Sequence, residues 1–187
     1  MDESGQINFM IDEYQDLFSD FDSRSFDKKS LSDDFLKECR KASVDKKVEG
    51  IELQILLPKK IKDEKKEEMI KDRLKNHFIK HYHLLNDEKY KIIKKGLILL
   101  FFALLDLAVS TFAHYLLENQ NALMLSLFYV VFDPLGILLL WEGVDNLIFG
   151  PKKIKEDLNF YFKMSKVKIV FETLKDDDLV KNGSKVI

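Results

Sequence analysis

From Gly96 to Leu117 the chain reads GLILLFFALLDLAVSTFAHYLL, and thirteen of these 22 residues are Leu, Ile, Phe or Val. As a helix rising roughly 1.5 Å per residue, the run spans about 33 Å, enough for a hydrocarbon core of about 30 Å. Those side chains favour insertion by about 4 to 8 kcal/mol, whereas one central Asp opposes it by about 2.5 to 3.5 kcal/mol. Insertion is therefore expected despite Asp106. A second run, ALMLSLFYVVFDPLGILLLW over Ala122–Trp141, is similarly apolar but is interrupted by Asp133 and Pro134. Pro134 removes a helical donor, so a helix kink is expected at Pro134 and Gly136. Four polar residues, Glu118 to Asn121, separate the runs, and a loop this short predicts a tight antiparallel hairpin.

Outside the two runs the pattern changes to amphipathic segments. Apolar residues at 7, 10, 11, 14, 17, 18 and 21 form a helical stripe. Ser32-Asp33-Asp34 is a helix-opening signal. GIELQILL alternates up to Pro58 and predicts a strand, as does VKIVFET over Val167–Thr173. Between them, Lys62 to Leu85 has a helical apolar stripe, with a break expected at Asn86-Asp87 and a restart near Glu88. Pro151 suits the first turn of another helix, and residues 175–187 read as a frayed tail. Together these segments predict an α+β, mainly helical chain. A two-helix transmembrane hairpin would carry a small cytosolic domain of helices and two antiparallel strands, brought together from both sides of the hairpin. Four regions follow: an acidic helical region over 1–48, a strand and long amphipathic helix over 49–95, the hairpin over 96–149, and a helix, strand and tail over 150–187.

Charge sets the expected threading. No Lys or Arg occurs between residues 96 and 150, while Lys89, Lys91, Lys94 and Lys95 precede that stretch and Lys152, Lys153 and Lys155 follow it. By the positive-inside rule, both termini are expected in the cytoplasm of a two-span protein of the cell (inner) membrane. Tyr115 and Trp141 suit opposite interfaces. The first 30 residues carry no apolar signal core, so insertion is expected to begin at the internal hairpin. Overall, 30 basic and 32 acidic groups leave a net charge of −2, which gives no reason to expect nucleic acid as a partner. The lone Cys39 excludes a disulfide framework and a cysteine-built metal site.

Candidate chemistry is sparse. With the turn centred between Asn119 and Gln120, Asp106 and Asp133 are expected at matched depth. Two carboxylates in hydrocarbon cannot both stay ionised, so the pair is expected to share a proton or be fully protonated. Intramembrane acids of this kind either hold helices together or mark an ion or proton path. Glu142 and Asp145 are expected at the interface, paired with Lys94, Lys95 or Lys152. His77 and His81 stand four apart, a spacing that can present two imidazoles to one metal, but no further ligand is evident and surface or packing histidines are the better reading. No phosphate loop, nucleophile elbow or cytosolic acid/base pair is visible, so neither an enzyme nor a cofactor is expected. The segments FDSRSFDKKSLSDDFL, GIELQILLP and RLKNHF, ahead of two apolar spans, resemble a family of uncharacterised prokaryotic membrane proteins over about residues 14–172. That resemblance implies topology only. The expected function is a membrane-anchored interaction or assembly module, partnered by the lipid bilayer, by itself as a homo-oligomer or by an unidentified cytosolic protein. The alternatives are an oligomeric effector with an ion or proton path gated by its cytosolic domain, and headgroup sensing through the juxtamembrane lysines.

Overall fold

The computed structural model describes residues 5–46, 50–117 and 122–174. The expected loop over 118–121 and the tail over 175–187 lie outside the described residues. The elements in chain order are β1 (Gln6–Met10), α1 (Asp33–Ser43), β2 (Glu52–Leu57), α2 (Glu64–Leu117), α3 (Ala122–Ile148), α4 (Gly150–Lys153), α5 (Lys155–Ser165) and β3 (Lys168–Thr173), with short 3-10 turns at Tyr14–Leu17 and Lys59–Ile61. They form two compact units, Met1–His83 with Asn159–Ile187, and Leu84–Leu158.

The first unit is built on a three-stranded sheet in the order β1-β2-β3, with both pairs parallel. Ile7, Leu53 and Ile169 lie in one row of the register, and Phe9, Ile55 and Phe171 in the next. This face meets the helices. Leu53, Ile55 and Leu57 are fully buried, with Ile70, Leu74 and Phe78 of α2 and Met164 of α5. The 70/74/78 spacing keeps one stripe of α2 inward. Phe9 meets Phe35 of α1 edge to face at 5.5 Å, and Phe78 meets Phe160 of α5 at 6.3 Å. The alternate residues, including Asn8, Met10, Gln54, Lys168 and Glu172, make the other, half-buried or exposed face. The Tyr14 hydroxyl ties the N-terminal segment to α2. It donates to Glu67 at 3.0 Å and accepts from the Asp63 amide at 3.0 Å. Gly50 enters β2 with a φ of 80°, a left-handed conformation that only glycine adopts without strain.

Several expectations are corrected here. Two antiparallel strands become three parallel ones. The stripe over 7–21 is not a helix, because β1 occupies Gln6–Met10 and a 3-10 turn occupies Tyr14–Leu17. Ile7 and Phe9 alternate as well as they fit a helical stripe, and pairing with β2 decides between the two. Parallel strands need long crossovers, usually helical. Here α1 connects β1 to β2, and the whole of α2–α5 connects β2 to β3, so that β3 starts beside Glu52 rather than beside Leu57. The break expected at Asn86-Asp87 is absent and α2 continues through it. The stretch contains neither Gly nor Pro from Glu64 to Lys95, and single Asn and Asp residues cost a helix little.

The transmembrane hairpin is also corrected. Among the described residues one helix, Glu64–Tyr115, is long and apolar enough to cross a membrane. The described part of α3 carries Asp133, Glu142 and Asp145 along with Pro134, so acids divide its apolar run. Two spans are therefore not established. Pro134 is accommodated inside one continuous helix, Ala122–Ile148.

Candidate functional site

In the second unit, α3 and α4 pack against the apolar half of α2 through small residues. Gly96, Ala103 and Ser110 recur every seventh position on α2, all buried. Gly136, Gly143 and Gly150 recur at the same interval on α3 and α4. A seven-residue repeat keeps one seam facing a partner helix, and small side chains let two backbones approach closely. A Cβ on Gly96 would lie 3.0 Å from the Gly143 carbonyl oxygen, and one on Gly143 would lie 2.9 Å from the Leu100 side chain. A Cβ on Gly136 would collide with the Asp106 carboxylate, and one on Gly150 with Ile92. Contacts descend α3 as they climb α2, so the two helices are antiparallel.

The seam carries polar groups where the large apolar residues are absent. Ser110 Oγ donates to Asp133 Oδ1 at 2.8 Å. One turn before Ser110 stands Asp106, opposite Gly136. One turn after it stands His114, whose ring meets Tyr129 at 5.7 Å. Asp106, Ser110, Thr111, His114, Tyr129 and Asp133 all line one groove of about 560 Å³, together with Ala103, Gly136 and apolar neighbours. Asp106 also borders a second, apolar groove beside Phe132 and Leu135. The outward surface is the reverse. Phe101, Leu104, Leu107 and Phe112 of α2 are 59–63% exposed, while Ala103 and Ser110 are 3% and 4% exposed. Val130, Ile137, Leu138 and Trp141 of α3 are 65–72% exposed. Soluble helices bury their large apolar residues, and this pair turns them out.

The structure brings Asp106 and Asp133 to the same groove, one turn out of the expected register. Asp133 is level with Ser110, and Asp106 is level with Gly136. Of the interfacial cluster, Lys95 pairs with Glu142 at 3.2 Å. Asn146 Nδ2 also donates to Glu142, to its carbonyl at 2.7 Å and its carboxylate at 3.0 Å. Asp145, Lys94 and Lys152 make no ion pair among the described residues, and Lys152 lies over the Phe149 ring at 5.3 Å. Sequence reasoning missed Ser110, His114 and Tyr129. The signal for Ser110 and His114 was the 106/110/114 spacing, one helical turn apiece, and Tyr129 on α3 had no such signal.

His77 and His81 lie in the first unit, packed ring on ring at 4.2 Å, with His81 stacked on Tyr161 at 5.1 Å. His77 Nε2 is buried without a hydrogen-bond partner among the described residues. Burial, then the neighbouring His81, push the His77 imidazole down to about 4. Among the described residues no three metal-binding side chains converge.

No family model matches the chain, and neither a curated protein nor a solved structure matches it.

Proposed function

We propose that the protein is a non-enzymatic, membrane-anchored interaction module of the cell (inner) membrane. The second unit anchors it through the apolar half of α2, and the first unit offers its sheet and helices to protein partners or to another copy of the chain. The inverted side-chain distribution of the second unit carries this reading, because a surface of exposed Phe and Leu around buried Gly, Ala and Ser suits lipid rather than water. The first unit draws on segments from both ends of the chain. The lysines flanking the apolar stretch favour the cytoplasmic side for the first unit. An alkaline carbonate wash of membranes from cells expressing the full chain tests the anchor. The protein is expected to stay with the pellet, and release into the wash would overturn the reading.

The polar groove favours a second reading, in which several copies assemble around Asp106, Ser110, His114, Tyr129 and Asp133 to conduct ions or protons. Polar residues inside an apolar belt commonly mark such a path. Flux across liposomes containing purified protein, abolished by Asp106→Asn, would support it. A tight membrane would leave the anchor alone.

A further inference from the structure

We propose that lysines at the border of the second unit's apolar belt form a headgroup site for anionic phospholipid. This inference rests on the membrane reading above and adds the lipid class. Gly150 abuts Ile92 so closely that a Cβ there would collide with its side chain. Ile92 is flanked by Lys91, Lys94 and Lys95, and Gly150 opens the short helix α4 that carries Lys152 and Lys153. This one contact gathers lysines from two places in the chain onto one edge of the unit.

Their charges are not all used within the protein. Lys95 is paired with Glu142 at 3.2 Å, and the Lys152 ammonium rests over Phe149. Lys91, Lys94 and Lys153 are exposed and make no ion pair among the described residues, although the Lys153 charge also acts on the Glu142 carboxylate. The acids Asp87 and Glu88 lie further along α2 from the belt than these lysines do. Tyr90 and Phe149 share the border, at 68% and 51% exposure, and Trp141, 72% exposed, immediately precedes Glu142, the partner of Lys95. Aromatic rings settle at headgroup level, and ammonium groups there donate charge-assisted hydrogen bonds to phosphodiester oxygens. Neutral lipid offers phosphate already compensated by its own cation. Anionic lipid leaves that charge to the lysines, so the border selects for it.

Trp141 is the sole tryptophan of the chain and reports from this border. The full chain is reconstituted into vesicles of phosphatidylcholine containing a minority of phosphatidylglycerol, with brominated acyl chains on one lipid or the other. Brominated phosphatidylglycerol is expected to quench Trp141 at least about threefold more than its share of the bilayer predicts. The excess is expected to vanish in a Lys91→Gln, Lys94→Gln, Lys153→Gln variant and to shrink at high salt. A variant carrying Lys59→Gln, Lys60→Gln and Lys62→Gln, which removes equal charge from the first unit, is expected to keep it. Quenching in proportion to composition would overturn the headgroup site and leave the anchor standing. No quenching from either lipid would overturn both.

Discussion

Ser110 and Asp133 join the two long helices of the second unit by a hydrogen bond of 2.8 Å, donated by the serine hydroxyl to the carboxylate. Ser110 is 4% exposed in a stretch that holds no Lys or Arg. The contact that the Asp133 side chain makes across the seam is thus to a hydroxyl rather than to a cation. Hydrogen bonds between apolar helices contribute about 0.6 to 2 kcal/mol. A double-mutant cycle of Ser110→Ala and Asp133→Ala, read from unfolding of the protein in detergent micelles, is expected to give a coupling in that range. A coupling near zero would mean that the contact has no energetic weight.

The relation between Asp106 and Gly136 predicts a steric rescue. A methyl group at Gly136 collides with the Asp106 carboxylate, so Gly136→Ala must push the acid out of the seam or part the helices. Forcing extra atoms into a packed interface costs about 1 to 3 kcal/mol. Asp106→Ala removes the colliding group. The double variant is thus expected to be more stable than Gly136→Ala alone, as measured by the denaturant midpoint of the pair. If Asp106→Ala instead added its own destabilisation, the carboxylate would not be what fills the space.

How much of this was readable from the residues depends on the range of the interaction. α1 was legible because Ser32-Asp33-Asp34 and the Phe35/Cys39 face are local signals, and β2 and β3 because apolar residues recur at every second position, Ile51, Leu53 and Ile55 in one and Val167, Ile169 and Phe171 in the other. β1 was not, since Ile7, Met10, Ile11 and Tyr14 also satisfy a helical spacing, and only pairing of Ile7 with Leu53 decides the matter. Strand direction follows from where the crossovers return the chain, which no local pattern records. In the second unit the glycines seven residues apart were present in the sequence, but their use as a seam became visible only with the partner helix in place. The depth of Asp106 and Asp133 shifted by one turn for the same reason. Helix register is set by which residues the small ones admit, Asp106 against Gly136, Leu100 against Gly143 and Ile92 against Gly150, and not by the midpoint of the intervening loop.

The buried imidazole of His77 gives the first unit a pH dependence. Burial first, and His81 second, lower its pKa from 6.5 to about 4 in the folded protein. The folded state favours the neutral ring, so as pH falls the unfolded chain binds the proton first. The stabilising contribution is complete above 6.5, the ordinary value, and is lost as pH falls from there to about 4. Urea midpoints above and below this window are expected to differ in the native protein and to differ less in His77→Leu. His81 is also lowered, by burial and then by Lys80, so some dependence is expected to survive that substitution. An unchanged slope in His77→Leu would place the proton uptake elsewhere.

Cys39 offers a probe of the same unit that needs no added label. It is the only cysteine of the chain and is fully buried in α1. Burial pushes its thiol well above the usual range, and the thiolate is the reactive species. Alkylation therefore requires the first unit to open, and its rate measures the population of the open form when closing is fast. Phe35 lies on the same helix and meets Phe9 of β1 edge to face. Phe35→Ala is expected to cost about 3 to 5 kcal/mol. If the opening that exposes Cys39 is the opening that separates α1 from the sheet, iodoacetamide labelling should accelerate by roughly a hundredfold or more. Substitution at the exposed Phe21, which packs on nothing in the core, is expected to leave the rate unchanged. An unchanged rate in Phe35→Ala would mean that the thiol is reached through local fraying of α1 and not through loss of its contact with the sheet.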